Sequence, residues 1–204
     1  MMETAMPLDM PQLLALASAL GWASGFRLYA VVFLVGLSGS MDWINLPSGL
    51  HVLESPAMLL GSGVMLFVEF FADKIPGLDS IWDAVHSVIR IPAGAALVAG
   101  ALGADSATMT TFAALMGGTL AASSQVAKTT TRAAINTSPE PFSNIAASLL
   151  EDGIVVVAVW LAVQYPFMFG ISLTVAIAVL AFITITLFRF LRSALQRVSA
   201  YFSK

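Results

Sequence analysis

The chain has 204 residues, 58% of them hydrophobic and only 10% charged, with a mean hydropathy of +0.89 and a net charge of −3. Water-soluble domains carry about 25% charged residues, so the composition excludes an ordinary soluble fold and predicts an all-α polytopic membrane protein. At about 20 apolar residues per crossing, the length allows about six transmembrane helices in a single transmembrane domain (1–204), with no room for a soluble one. The lack of cysteine excludes disulfides, a thiol nucleophile and a cysteine metal site.

The first ten residues contain no Lys or Arg, and the apolar run starting at Leu13 continues to Leu37. A signal peptide needs a basic start and a shorter apolar stretch, so residues 11–37 read as a retained first helix, with Pro11 suited to its first turn. Gly21, Ser24 and Gly25 weaken that helix at its middle. Arg27 follows, at a depth where an unpaired charge costs several kcal/mol. Either Arg27 holds an anionic group at a broken helix lining a polar site, or it pairs with a carboxylate and fixes helix packing. Residues 38–54 read as a loop, and its His51 as a solvated side chain.

The second helix is expected over 55–73, with Ser55, Ser62, Glu69 and Asp73 on one face. Pro76-Gly77 breaks the chain. A third helix over 79–101 carries Asp79, Asp83, His86 and Arg90 at i, i+4, i+7 and i+11, one narrow stripe. Asp79–Asp83 and His86–Arg90 are neighbours along it. Ala93, Gly94, Leu97 and Ala101 extend the stripe with mostly small residues that let another helix approach. The stretch 69–90 is the most highly charged in the chain.

A fourth helix over 108–134 places Gly117, Ala121, Ser124, Lys128 and Thr131 on one face with Arg132 beside it, ending in a cationic, hydroxyl-rich patch. Residues 136–144, with two prolines, form a turn containing Asn136. A fifth helix over 142–164 clusters Asn144, Ser148, Glu151 and Asp152. A sixth over 169–190 has no polar residue but Ser and Thr before Arg189, so it reads as the most lipid-exposed. The tail, 189–204, is basic and amphipathic, suited to an anionic cytoplasmic leaflet.

The stretches 38–54, 102–107 and 165–168 contain no Lys or Arg, whereas Lys74, Lys128, Arg132 and the tail arginines fall at the opposite side. The positive-inside rule then puts both termini in the cytoplasm of a cell bounded by the plasma (inner) membrane. Feature order also hints at a three-plus-three inverted repeat with halves 11–104 and 107–196. Each half has a helix with a buried cation, then a Ser-Pro pair (Ser55-Pro56, Ser138-Pro139), then a helix with carboxylates, then a proline break (Pro76, Pro166).

Three motifs in order span nearly the whole chain: Gly21-x-x-Ser24-Gly25-x-Arg27, Ala72-Asp73-Lys74-x-Pro76-x-x-Asp79, and Lys128-x-x-Thr131-Arg132-Ala133-x-x-Asn136-x-Ser138-Pro139-Glu140-Pro141. This combination resembles the DUF4126 family, bacterial-type integral membrane proteins named only as a domain of unknown function. The resemblance implies a membrane protein and no particular activity, cofactor or catalytic residue.

Ionisable groups inside a membrane mark substrate, ion or proton pathways by default. The first functional reading is therefore a small transporter or channel for a polar or anionic solute, with proton coupling available through His86. His86 as a packing histidine is the plainer alternative. The pathway candidates are Arg27, Glu69, Asp73, Lys74, Asp79, Asp83, His86, Arg90, Lys128, Thr131, Arg132, Asn136, Glu151 and Asp152, with Arg27, Lys128 and Arg132 meeting the anionic group. A second reading is a metal-dependent membrane enzyme on lipid or isoprenoid phosphates. There Asp79, Asp83 and His86 would hold Mg²⁺, although nucleophile and P-loop motifs are missing. A third is a structural or assembly protein whose charges only lock helices together. Partners are the lipid bilayer and a small molecule or ion; the few, membrane-proximal basic residues argue against nucleic acid.

Overall fold

The structure is a computed structural model and describes residues 8–103, 106–137 and 142–202. Among these residues lie six α-helices: α1 (Met10–Ser40), α2 (Pro56–Ala72), α3 (Leu78–Leu102), α4 (Ala107–Ile135), α5 (Phe142–Gln164) and α6 (Pro166–Phe202), with a short 3₁₀ helix, Ser48–Glu54, between α1 and α2. The Ser138-Pro139-Glu140-Pro141 part of the third motif, and with it one Ser-Pro pair of the expected repeat, lies outside the described residues.

Local chemistry sets the helix starts. Asp9 caps α1 through a reciprocal box with Gln12, and Pro11 occupies its first turn. Ser55 and Ser106 accept backbone N–H groups at the starts of α2 and α4. Gly77, at φ 84°, turns the chain into α3 through a conformation that an L side chain resists.

α1 is the axis of the bundle. It is buried along most of its length and packs against α2, α3, α4 and α5. α3 and α4 form the tightest pair, and α6 lies outside, against α4 and α5. No residue in the most apolar window of α6 is fully buried, although Leu173, Ala176, Ile177 and Leu180 pack against the core. A helix exposing Ile171, Val175, Val179, Phe182 and Phe188 to its surroundings belongs in lipid, not water.

Several sequence expectations change. Residues 38–54 are not a plain loop, because α1 runs on to Ser40 and the 3₁₀ helix buries Leu50 and Leu53 near Leu46. Gly49 there meets Gly100 of α3 so closely that a Cβ would sit 2.5 Å from the Gly100 carbonyl oxygen. His51 is exposed, as expected, and its Nε2 lies 2.8 Å from the Leu46 carbonyl. Pro166 starts α6 instead of merely breaking the chain, and α6 absorbs the tail as far as Phe202.

By length and hydropathy alone, fewer than six helices qualify as spans. Among the described residues, α1, α3, α5 and α6 are long and apolar enough to cross a membrane. A fifth crossing arises only if the 3₁₀ helix and α2 count as one span bent by 67°. α2 alone, at 17 residues, is about 25 Å long, short of the ~30 Å hydrocarbon core. α4 has the length, but its Thr, Ser and Gly residues dilute its hydropathy. Its buried face carries Ser124, Gln125, Lys128 and Arg132, while the exposed Thr111 and Ser123 turn their hydroxyls onto carbonyls of their own helix.

Candidate functional site

Close approach creates the site. Gly21 and Gly25 of α1, Gly94 of α3, and Gly117 and Ala121 of α4 meet where three helices cross. A Cβ on Gly25 would stand 2.0 Å from Ser124 Oγ and 2.2 Å from the Ala121 carbonyl oxygen. Ser124 Oγ donates to the Trp22 carbonyl at 2.6 Å, pinning α4 to α1. Just beyond this seam the α1 backbone departs from helical geometry at Arg27 (φ −145°, ψ 75°). The break frees carbonyl groups on α1, and Phe26 O accepts from Lys128 Nζ at 3.2 Å.

The charged side chains of five helices converge beside that break. Arg27 Nη1 lies 2.6 Å from Asp73 Oδ2, its Nε 3.0 Å from Asp152 Oδ1 and its Nη2 3.7 Å from Glu151 Oε2. Nη2 also donates to Ser148 Oγ at 2.7 Å. Lys128 Nζ contacts Asp73 Oδ2 at 2.7 Å, Asp83 Oδ1 at 3.0 Å and Glu151 Oε2 at 3.5 Å. Arg90 pairs with Glu69 and, at 2.8 Å, with Asp83, and donates to Gln125 Oε1 at 2.8 Å. Arg132 pairs with Glu151 at 3.0 Å and donates to both oxygens of Asn144 and to the Asp73 carbonyl. These ion pairs use four cations (Arg27, Arg90, Lys128, Arg132) and five carboxylates (Glu69, Asp73, Asp83, Glu151, Asp152). All nine are buried except Asp152, whose side chain is 25% exposed. Adding the flanking Lys74 and Asp79 leaves the excess at one negative charge. Asp73 Oδ1, Asp83 Oδ2, Glu69 Oε2 and Asp152 Oδ2 are buried without a hydrogen-bond donor among the described residues.

A chain of amides closes the end of the cluster nearest the α2–α3 and α4–α5 turns. Asn136 Nδ2 donates to both Asp79 oxygens at 3.0 Å and contacts Ser80 Oγ at 2.9 Å. Asn144 Nδ2 donates to Asn136 Oδ1 at 2.9 Å, linking the chain to Arg132. Lys74, in the turn after α2, donates to Ser148 Oγ and the Phe70 carbonyl and sits over the Phe70 ring. Burial pushes its ammonium below the usual lysine range, with Asp152 opposing.

Of the fourteen sequence candidates, the structure joins nine in the ion-pair cluster and sets Lys74, Asp79 and Asn136 at its rim. Thr131 is half-buried nearby but makes no side-chain bond among the described residues. His86 stands apart: its Nδ1 is 2.9 Å from the Trp82 carbonyl, its ring stacks on Trp82 at 3.9 Å, and Tyr29 meets it edge-on. The expected pairing along α3 is therefore replaced. Arg90 reaches two turns back to Asp83 and across to Glu69, because the i−4 position holds a histidine already engaged with Trp82. The metal trio is corrected for the same reason. Asp79 belongs to Asn136, Asp83 to Arg90 and Lys128, and no group of three His, Asp or Glu side chains among the described residues is placed to hold a metal.

Gln125, Ser148 and Asn144 also bond within the network, beyond the fourteen candidates. Gln125 lies one turn before Lys128, so the α4 face carried the signal. Ser148 and Asn144 lie one and two turns before Asp152, on the side of α5 that carries it. Phe26 O left no side-chain signal at all.

A family model described as "Domain of unknown function (DUF4126)" matches residues 14–186. The chain belongs to the DUF4126 family. That match covers α1 from its second turn through most of α6, and hence every member of the cluster. Nothing matches among curated proteins or among solved structures. This DUF4126 protein is thus a helical membrane-type protein with a buried, charge-unbalanced polar centre.

Proposed function

We propose that this protein is a small proton-coupled transporter of an anionic or polar solute, with α1–α5 forming the pathway. The observation that carries the reading is the buried cluster at the Arg27 break, where five carboxylates face four cations. Every cation is already held by a carboxylate, so an anionic solute reaches Arg27 or Arg132 only by displacing one. A displaced carboxylate in a low-dielectric interior takes up a proton, which couples one proton to each negative charge admitted. Discontinuous helices at polar centres are a frequent transporter device.

The finer topology belongs to the same proposal: six spans, with α2 completed by the 3₁₀ helix and α4 as an internal span, both termini cytoplasmic in the inner membrane. A three-plus-three repeat is supported by one reciprocal feature. Arg27 of the first half and Lys128 of the second both contact Asp73 of the first and Glu151 of the second.

A specific observation favours a second reading, a purely structural cluster: its ionic groups are mostly sealed and paired with one another. Two measurements separate the readings. The first is a thermal-stability screen of purified protein against inorganic anions, carboxylates and amino acids. The second is uptake of any stabilising solute into liposomes under an inward proton gradient, followed by interior pyranine. Transport predicts solute-dependent acidification that falls at least ten-fold in Asp83→Asn. Absence of any stabilising solute and of any proton movement would leave the structural reading.

A further inference from the structure

We propose that the cleft between α2 and α3 is a lipid-facing binding site for an apolar molecule with one hydroxyl group, a long-chain alcohol or a phenol, held at Tyr29 and His86. Such a site lies outside the ion-pair cluster and holds whether or not a solute is carried.

α2 and α3 are joined by a short turn yet scarcely touch along their length. Toward the 3₁₀ helix, the space between them is a cavity of about 540 Å³, within the range of about 300–1,000 Å³ that small-molecule sites occupy. Leu28, Val32 and Leu97 give it a buried apolar floor, and Val52, Ala57, Gly61 and Ala96 an exposed rim. An exposed apolar rim on membrane-type helices opens the mouth sideways, to lipid. Two hydroxyl side chains line the cavity. Ser62 Oγ is spent on the Met58 carbonyl. The Tyr29 hydroxyl makes no hydrogen bond among the described residues.

His86 points to a ligand independently. Its ring lies between Tyr29 and Trp82, and Trp82 lines a further apolar cavity of about 390 Å³ in the same cleft. His86 is only 6% exposed, and its Nδ1 is engaged with the Trp82 carbonyl. A carbonyl only accepts, so Nδ1 carries the hydrogen and Nε2 of the neutral ring is an acceptor. Nε2 makes no hydrogen bond among the described residues and, unlike Trp82 Nε1, is not sealed off. An open, unpartnered nitrogen on a nine-tenths-buried histidine is a polar cost that a ligand relieves.

The two free groups define the ligand's chemistry. His86 Nε2 needs a donor, and the Tyr29 hydroxyl both gives and takes a hydrogen bond. A ligand hydroxyl serves both. An ester, ketone or ether has no hydrogen for Nε2, nor has a carboxylate, and a full charge is costly between these apolar walls. An alkyl chain or aromatic ring fills the rest of the cavity.

The test is the melting temperature of the protein in nanodiscs of saturated phosphatidylcholine, titrated with dodecanol, nonylphenol or, as a control, dodecyl methyl ether. A ligand that binds only the folded state raises the melting temperature by mass action. The alcohol or the phenol should give a rise of about 3–6 °C at roughly ten times its Kd, the larger response naming the source, and the ether little. Tyr29→Phe should weaken the apparent affinity about three- to ten-fold, the worth of one hydrogen bond, and His86→Phe likewise. Gly61→Leu projects into open space, since a Cβ there meets nothing within 4 Å. It should fold normally and lose the response. Equal responses to alcohol, phenol and ether, or equal responses of wild type and Gly61→Leu, would show partition into the bilayer alone and overturn the site. So would an affinity unchanged in Tyr29→Phe, or no response to either hydroxyl compound. Should His86→Phe fail to fold for want of its Trp82 stack, Tyr29→Phe and Gly61→Leu decide the matter.

Discussion

Arg27 shows how far a single residue can be read. Its depth in an apolar run announces that it needs partners, and the structure supplies Asp73, Asp152, Glu151 and Ser148. The identity of those partners is not legible in the sequence, because they lie 46 to 125 residues away along the chain. The two readings offered for Arg27, a site at a broken helix and a packing ion pair, describe the same atoms: the backbone breaks at Arg27 and its side chain is paired. Removing one partner from a buried pair costs about 3–5 kcal/mol, because the other charge stays behind unpaired. Arg27→Gln should therefore destabilise strongly, although Asp73 retains Lys128. Asp152 loses its only ion-pair partner among the described residues. Adding Asp152→Asn to Arg27→Gln should then recover part of the loss, less than a fully buried partner would return, since Asp152 is partly exposed. Thermal unfolding of the two single variants and the double variant, read as a cycle, measures that coupling; strict additivity would mean that the Arg27–Asp152 contact contributes nothing.

At the level of elements, the sequence locates every α-helix to within a few residues except at the end of α6. Amphipathic stripes and turn residues are local signals, whereas the tail's continuation into α6 depends on nothing that stops it, with no glycine or proline after Gly170. The 3₁₀ helix escaped because seven residues show too little periodicity to separate a helix from a loop. What the pattern did reveal was the small-residue face of α3, and α1 supplies its counterpart. The α1–α4 contact is close enough to test directly. Gly25→Ala must push α1 away from Ser124 and the Ala121 carbonyl, which costs about 1–3 kcal/mol, the range for overpacking. Such a shift would also loosen the neighbouring Arg27 and Lys128 contacts. Gly61→Ala on α2 meets nothing within 4 Å and should stay within about 0.5 kcal/mol of wild type. Parallel melting curves of the two variants decide this; equal stability would show that α1 and α4 are not in close contact at Gly25.

At the scale of the whole molecule, hydropathy and charge distribution give different span counts, and the polar cluster explains why. A helix that delivers Gln125, Lys128 and Arg132 to a buried centre cannot also be uniformly apolar, so α4 fails a length-and-hydropathy test although its other face exposes Met109, Phe112, Leu115 and Val126. α2 fails by length for a related reason: it ends where Asp73 turns into the cluster. If α4 and the bent pair are both crossings, the α1–α2 connection and the α2–α3 turn lie on opposite faces, with the lysine-free connection outside. The absence of cysteine makes this testable without background labelling. Trp43 and Ile75 are both exposed, at 68% and 53%, so a cysteine at either should react readily. In intact cells, Trp43→Cys should be modified by a membrane-impermeant maleimide, and Ile75→Cys only after permeabilisation. Labelling of both from outside would mean that the 3₁₀ helix and α2 form a re-entrant segment. α3 would then enter the membrane from the outer face, and the inverted-repeat arrangement would be lost with it.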